Sequence, residues 1–179
     1  MRSPIPLKRR PLDIALIAFF AINLLFTTYV VSLEQLVIED PSNYTPPLWP
    51  PAPFLALIHW YERSFDPLLL ARPAWYRATI WMDVLGFGPF YAFAIYAFAR
   101  GRDWIRIPCI IWASMMVTNV FIILFDELLG VHATPHPINV VGANAAWFLI
   151  PCVVVWRVAR SEHPFTEELG SGPSREQVA

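Results

Sequence analysis

Apolar residues run almost unbroken over 12–38, 76–99, 104–128 and 138–159, with polar stretches between them. A helix needs about 20 such residues to cross the hydrocarbon core of a bilayer, so each run predicts a transmembrane helix. Between the first two runs the pattern changes twice. Residues 41–53 (PSNYTPPLWPPAP) are too rich in proline for a regular helix and read as extended chain. Residues 54–75 are apolar but broken by His59, Glu62, Arg63, Asp66 and Arg72. There Phe54, Leu57, Ile58 and Tyr61 recur at helical spacing, which predicts a short amphipathic helix on the outer face of the bundle or in the interface. Ser64-Phe65-Asp66-Pro67 then signals a further turn of helix, with Asp66 as cap and Pro67 at the first position. Pro89 and Pro151 lie inside the second and fourth runs, where each removes a backbone hydrogen bond and invites a kink.

Composition agrees with the pattern. The chain has 179 residues, 56% of them hydrophobic, more than a soluble domain of that length usually carries. One all-α, four-helix transmembrane bundle accounts for nearly all of it. The expected organisation is a basic N-terminus over 1–11, a membrane domain over 12–160 and a polar, flexible tail over 161–179. The first run is too long for the apolar core of a signal peptide and reads as the first span. A net charge of −1 argues for no nucleic-acid partner. Cys109 and Cys152 lie in apolar runs and read as packing residues. His132 and His136 are four apart, but Pro135 argues against one helix there, so no metal and no cofactor is expected.

Cations set the orientation. Arg2, Lys8, Arg9 and Arg10 precede the first span, Arg100, Arg102 and Arg106 separate the second from the third, and Arg157 and Arg160 end the fourth. The positive-inside rule puts both termini in the cytoplasm.

Polar groups inside the spans are the candidates for chemistry, because burying them in lipid is costly. Asp83 stands in the second span with Phe87, Phe90 and Tyr91 on its helical face, a carboxylate at the end of an aromatic patch. Asn23, Thr27 and Glu34 share a face of the first span, with Glu34 near its outer end. Asn119 is central in the third span and suits a bond between helices as well as a ligand. Asp126 and Glu127 sit at the outer end of that span and read as a solvated helix terminus. Asn144 and Trp147, three apart in the fourth span, offer an amide and a flat aromatic face that can hold a cation or a ring system.

Together these segments resemble the EXPERA-domain family, and its sigma-2 receptor (transmembrane protein 97) branch in particular. The matching pieces are Trp60-Tyr61, Phe65-Asp66-Pro67-Leu68-Leu69, Pro73-Ala74-Trp75, Asp83 six residues before Pro89, Tyr96-Ala97-Phe98, and Trp104-Ile105-Arg106 followed by Pro108. The resemblance implies a four-helix membrane fold with a lipid-buried pocket for sterols and cationic amphiphiles, and it admits a homodimer. It assigns Asp66 and a first-span acid, Glu34 here, to a ligand-binding pair, and Asp83 to the pocket wall. Two such carboxyls, close together in a dry pocket, would share a proton. Phe87, Phe90 and Trp147 would wall the guest. The last helix, with Asn144 and Trp147, is more similar to the emopamil-binding isomerase branch. The His and Glu that this branch carries in its first helix stand here as Asn23 and Thr27, which removes the expected proton shuttle.

Three functions therefore stay open: a binding protein for sterol-like or cationic hydrophobic molecules, with a place in lipid transport or homeostasis; a sterol or polyprenoid double-bond isomerase, with Asp83 and Glu34 catalytic; and a structural bundle. The membrane would be the endoplasmic reticulum in a eukaryote and the cytoplasmic membrane in a bacterium.

Overall fold

The computed structural model describes residues 2–168. Six helices follow in chain order: α1 (Pro11–Val37), α2 (Ala52–Phe65), α3 (Pro67–Ala71), α4 (Ala74–Arg100), α5 (Asp103–Leu129) and α6 (Pro137–Ala159). Of these α1, α4, α5 and α6 are long and apolar enough to cross a membrane. The chain is an all-α, four-span membrane protein.

Two stretches inside the spans are wound more widely than an α-helix, at Asn23–Ser32 of α1 and Asp83–Phe87 of α4. The second lies just before Pro89. That residue has no N–H to give to Leu85, and its ring crowds the carbonyl there, so the helix opens by a π turn. The two stretches pack against each other. Gly88 permits the approach: a Cβ there would lie 3.0 Å from Thr28 Cγ2 and 3.4 Å from Tyr29 Oη.

Further along, Ala94 and Ala97 of α4 are fully buried, small residues that let helices come close without a hydrophobic drive between them. Around them sits an aromatic core. Phe20 meets Tyr91, Phe98 and Trp112 with ring centroids 6.0, 5.5 and 5.5 Å away. Many large apolar side chains point outward, among them Leu25, Leu85, Ile107 and Phe121. On a soluble monomer they would form costly patches; on this bundle they face lipid.

The pairing of helices is uneven. α6 packs along α5, and α1 along α4, but the backbones of α1 and α6 approach little. Side chains bridge that seam. Trp147 Nε1 donates to Asn23 Oδ1 at 2.6 Å, and Arg157 donates to both carboxylate oxygens of Asp13 at 2.8 and 2.9 Å.

Before the second span, α2 behaves differently from its sequence. The apolar residues expected to share a face, on the outside of the bundle or in the interface, are Phe54, Leu57, Ile58 and Tyr61; the residues buried in the protein are Leu55, Ile58, His59 and Glu62. Phe54 and Leu57 are exposed. Two polar side chains lie on the buried face because they have buried partners waiting. Arg72, at the end of α3, donates to Glu34 at 3.0 Å and to Glu62 at 2.8 Å, while His59 Nε2 lies 2.8 Å from Glu34. Arg72 also donates to the carbonyls of Ile38 and Leu69. It holds a left-handed backbone (φ 47°), which a non-glycine residue keeps only where its surroundings fix it.

The tail also differs from expectation over its first residues. A two-stranded antiparallel ribbon joins β1 (Arg2–Pro4) to β2 (Thr166–Glu168), so these two segments lie on one side of the bundle. Phe165 is fully buried against Phe98, with the guanidinium carbons of Arg157 and Arg10 4.9 and 5.5 Å from its ring centre. This aromatic anchor is why 161–168 dock. The remainder of the expected flexible segment, 169–179, lies outside the described residues.

Candidate functional site

A cavity of about 230 Å³ lies between α1, α4, α5 and α6, with α2 and α3 at one end. Its walls are largely apolar, from Leu69, Ile80, Phe87, Met116, Val120 and Ile123. Polar groups enter at separate places, as they do in sites that orient a mostly apolar guest.

Asp83 comes from the wide turn of α4. Ser32, from the wide turn of α1, donates to its Oδ2 at 2.7 Å. The two π stretches thus deliver the two halves of this contact, a common use of such turns.

Asp66 stands at the other end. It caps α3, accepting from Leu69 N at 2.8 Å, with Pro67 at the first helical position. The local sequence dictates this geometry. Its carboxyl lies within hydrogen-bonding reach of Glu127, which is 2% exposed. Burial pushes Asp66 above its ordinary pKa; backbone bonds from Leu69 and Leu68 pull the other way and do not cancel the effect. Among the described residues Glu127 Oε2 has no other donor. Two carboxyls so placed cannot both ionise cheaply, so the arrangement suits a shared proton.

Next to the pair, burial pushes Tyr61 up to about 12, with the neighbouring carboxylates adding to the shift. Its hydroxyl and Gln35 Oε1 are buried without partners, and both residues line the cavity. Buried polar atoms are usually paired, so these two are available to a guest.

The candidates from sequence divide accordingly. Asp66, Asp83, Thr27, Phe87, Asn119, Asn144 and Trp147 all line this cavity. Glu34, Asn23 and Phe90 do not. Glu34 does not pair with Asp66; it is fully buried in the Arg72 cluster, held by a cation and by His59. Asn23 is spent on the seam, donating to Phe19 O and accepting from Trp147. Phe90 stacks on Trp112 at 5.1 Å in the aromatic core.

Sequence reasoning missed Ser32, Gln35, Tyr61 and Glu127. Ser32 and Gln35 lie three apart and share the first-span face with Thr28, a signal that was readable. Glu127, expected to be solvated, is buried because α2 and α3 fold back over the end of α5. Its neighbour Asp126 is the partly exposed one, bonded to His132 at 2.6 Å.

The family profile described as EXPERA (EXPanded EBP superfamily) matches residues 53–158. The chain belongs to the EXPERA family. Among similar proteins, the sigma intracellular receptor 2 of Homo sapiens is 32% identical over 132 residues, covering 66% of this chain and 75% of that one. The Xenopus tropicalis protein of the same name is 34% identical over 96 residues, covering 52% and 56%. This EXPERA protein is thus an integral, multi-pass membrane protein related to the sigma-2 receptor. The matched segment supplies every cavity residue from Tyr61 to Trp147, whereas Thr27, Val31, Ser32 and Gln35 precede it.

Proposed function

We propose that this EXPERA protein binds one hydrophobic amphiphile, sterol-like or cationic, in the cavity between α1, α4, α5 and α6. One observation carries the reading: Asp66 and Asp83, from separate elements, line a single, mainly apolar cavity inside a membrane bundle. An ammonium or hydroxyl head would meet Asp83 beside Ser32, or the proton-sharing pair of Asp66 and Glu127. The apolar body would lie along Phe87, Val120 and Trp147. The sparse backbone contact between α1 and α6 supports a route to the bilayer, since Thr27, Val31, Ala143 and Asn144 line the cavity from those two helices. The name of the relatives, receptors, is consistent with ligand binding. The same reading places both termini in the cytoplasm, from the arginines and lysine at that end of the bundle.

A sterol isomerase is the second reading, favoured by Asp83, Asn144 and Trp147 facing one cavity. It lacks a proton shuttle: Thr27 has no useful pKa, and Asn23 is turned to the seam.

The test is a photo-crosslinkable sterol incubated with purified protein, wild type beside Asp83→Ala. Saturable labelling of the wild type, lost in the variant, with the sterol recovered unchanged supports binding. Recovery of a sterol with a shifted double bond supports the isomerase. Labelling that never saturates removes both.

A further inference from the structure

A second cavity, of about 380 Å³, lies at the membrane boundary where α1 begins and α6 ends. It shares no residue with the cavity described above. Its lining is cationic, with Arg9, Arg10, Arg157, Arg160 and His163, and it has an apolar flank from Leu12 and Trp156.

The charge does not cancel. Asp13, fully buried, is held by both Arg10 and Arg157. Arg9 pairs with Glu167 at 3.1 Å, and both are well exposed. His163 lies 3.3 Å from Asp103. Arg160 forms no ion pair among the described residues; its guanidinium carbon sits 3.7 Å from the centre of the Trp156 ring. Four arginines thus face two carboxylates, Asp13 and Glu167, before His163 and Asp103 are considered. Lying over the indole and in no ion pair among the described residues, Arg160 has N–H groups for an outside acceptor. The start of α1 adds the positive end of a 27-residue helix.

The level in the membrane narrows the ligand. Both flanking helices are apolar spans that end at this cleft, and Trp156 is half exposed, as belt tryptophans are at the headgroup depth. A soluble anion would need no apolar flank. We propose that the cleft binds the phosphate of an anionic phospholipid, with Arg160 and Arg9 as its main cations and Leu12 and Trp156 along its upper chain. In the orientation proposed above, this is the cytoplasmic leaflet, where anionic lipids concentrate.

The test is native mass spectrometry of the full-length protein from micelles holding equimolar phosphatidylserine and phosphatidylcholine. The wild type should retain phosphatidylserine preferentially. Each arginine near an anionic membrane surface contributes about a five-fold preference, so Arg160→Gln with Arg9→Gln should lower retention by about 25-fold. Arg160→Lys should retain most of the preference, and sterol labelling of the inner cavity should be unchanged in all variants, which checks their folding. Equal retention of the two lipids by the wild type, or undiminished preference in the double variant, overturns the proposal. Displacement of the lipid by millimolar inorganic phosphate assigns the cleft to a free phosphate and overturns the lipid assignment.

Discussion

Ser32 on α1 donates to Asp83 on α4, at 2.7 Å, from one widened helical turn to another. The contact ties the Asp83 carboxyl to the first span. Ser32→Ala leaves that carboxyl without its donor, and a buried acceptor left unsatisfied costs about 1–3 kcal/mol. Asp83→Asn keeps an acceptor for the serine. Thermal unfolding in detergent should therefore show Ser32→Ala the less stable of the two, while Asp83→Asn alone loses cationic ligands by ten-fold or more.

Gly88 sets how closely the two spans approach. Gly88→Ala would press a methyl to 3.0 Å from Thr28 Cγ2, a crowding that costs about 1–3 kcal/mol in packed interiors. Thr28→Ser removes that methyl. A double-mutant cycle read by thermal unfolding should show Gly88→Ala destabilised and largely rescued in the Thr28→Ser background. Additive losses would mean that the crowding lies elsewhere.

The Arg72 cluster separates structure from ligand contact. Arg72→Ala strands Glu34 and Glu62 without their cation, and breaking a buried pair in this way costs about 3–5 kcal/mol. Glu34→Gln keeps acceptors for Arg72 and should fold. Its affinity for a sterol probe should stay within about two-fold of wild type, against the larger loss for Asp83→Asn. A Glu34→Gln protein that folds but no longer binds would return Glu34 to the site.

Acidity enters through α2 and the cap of α3. Burial raises Asp66 above its ordinary 3.8 and Glu62 above its ordinary 4.5. The folded chain then binds more protons than the unfolded one in this range, so these groups favour folding at low pH. That contribution is fully present below the ordinary carboxylate values and is lost as pH rises through the raised ones. Asp66→Asn removes the titration of Asp66 and with it the pairing with Glu127. Its unfolding temperature in detergent should fall less than that of the wild type between about pH 4 and pH 8. An unchanged slope would show that Asp66 titrates at its ordinary value.

The seam offers a coupling measurement. Trp147→Phe and Asn23→Ala each remove one side of a 2.6 Å bond, and a stranded buried partner costs about 1–3 kcal/mol. The double variant should lose less than the sum of the two single variants in thermal unfolding.

Much of this was readable in advance, for reasons that differ by residue. The four spans were legible because lipid demands long apolar runs with few exceptions. Asp66 was legible because a cap followed by proline is a local rule. The fates of Glu34 and Glu127 were not, since both are decided by α2 and α3 folding back on the bundle. Arg72, in an unusual backbone conformation, draws Glu34 away from the cavity. Asp66 meets Glu127 across 61 positions of sequence, a contact that no periodicity encodes. Phe165 looked like one apolar residue in a polar tail, and only the facing Phe98 and two arginines make it an anchor.

The ribbon between Arg2–Pro4 and Thr166–Glu168 has a consequence for biogenesis. Strands at opposite extremities of a chain can meet only if an even number of crossings returns the second to the side of the first. A polypeptide whose last hairpin has stalled outside the bilayer, or whose first segment has slipped through, leaves one strand without its mate. Closure of this small clasp is therefore a built-in sign that insertion has finished.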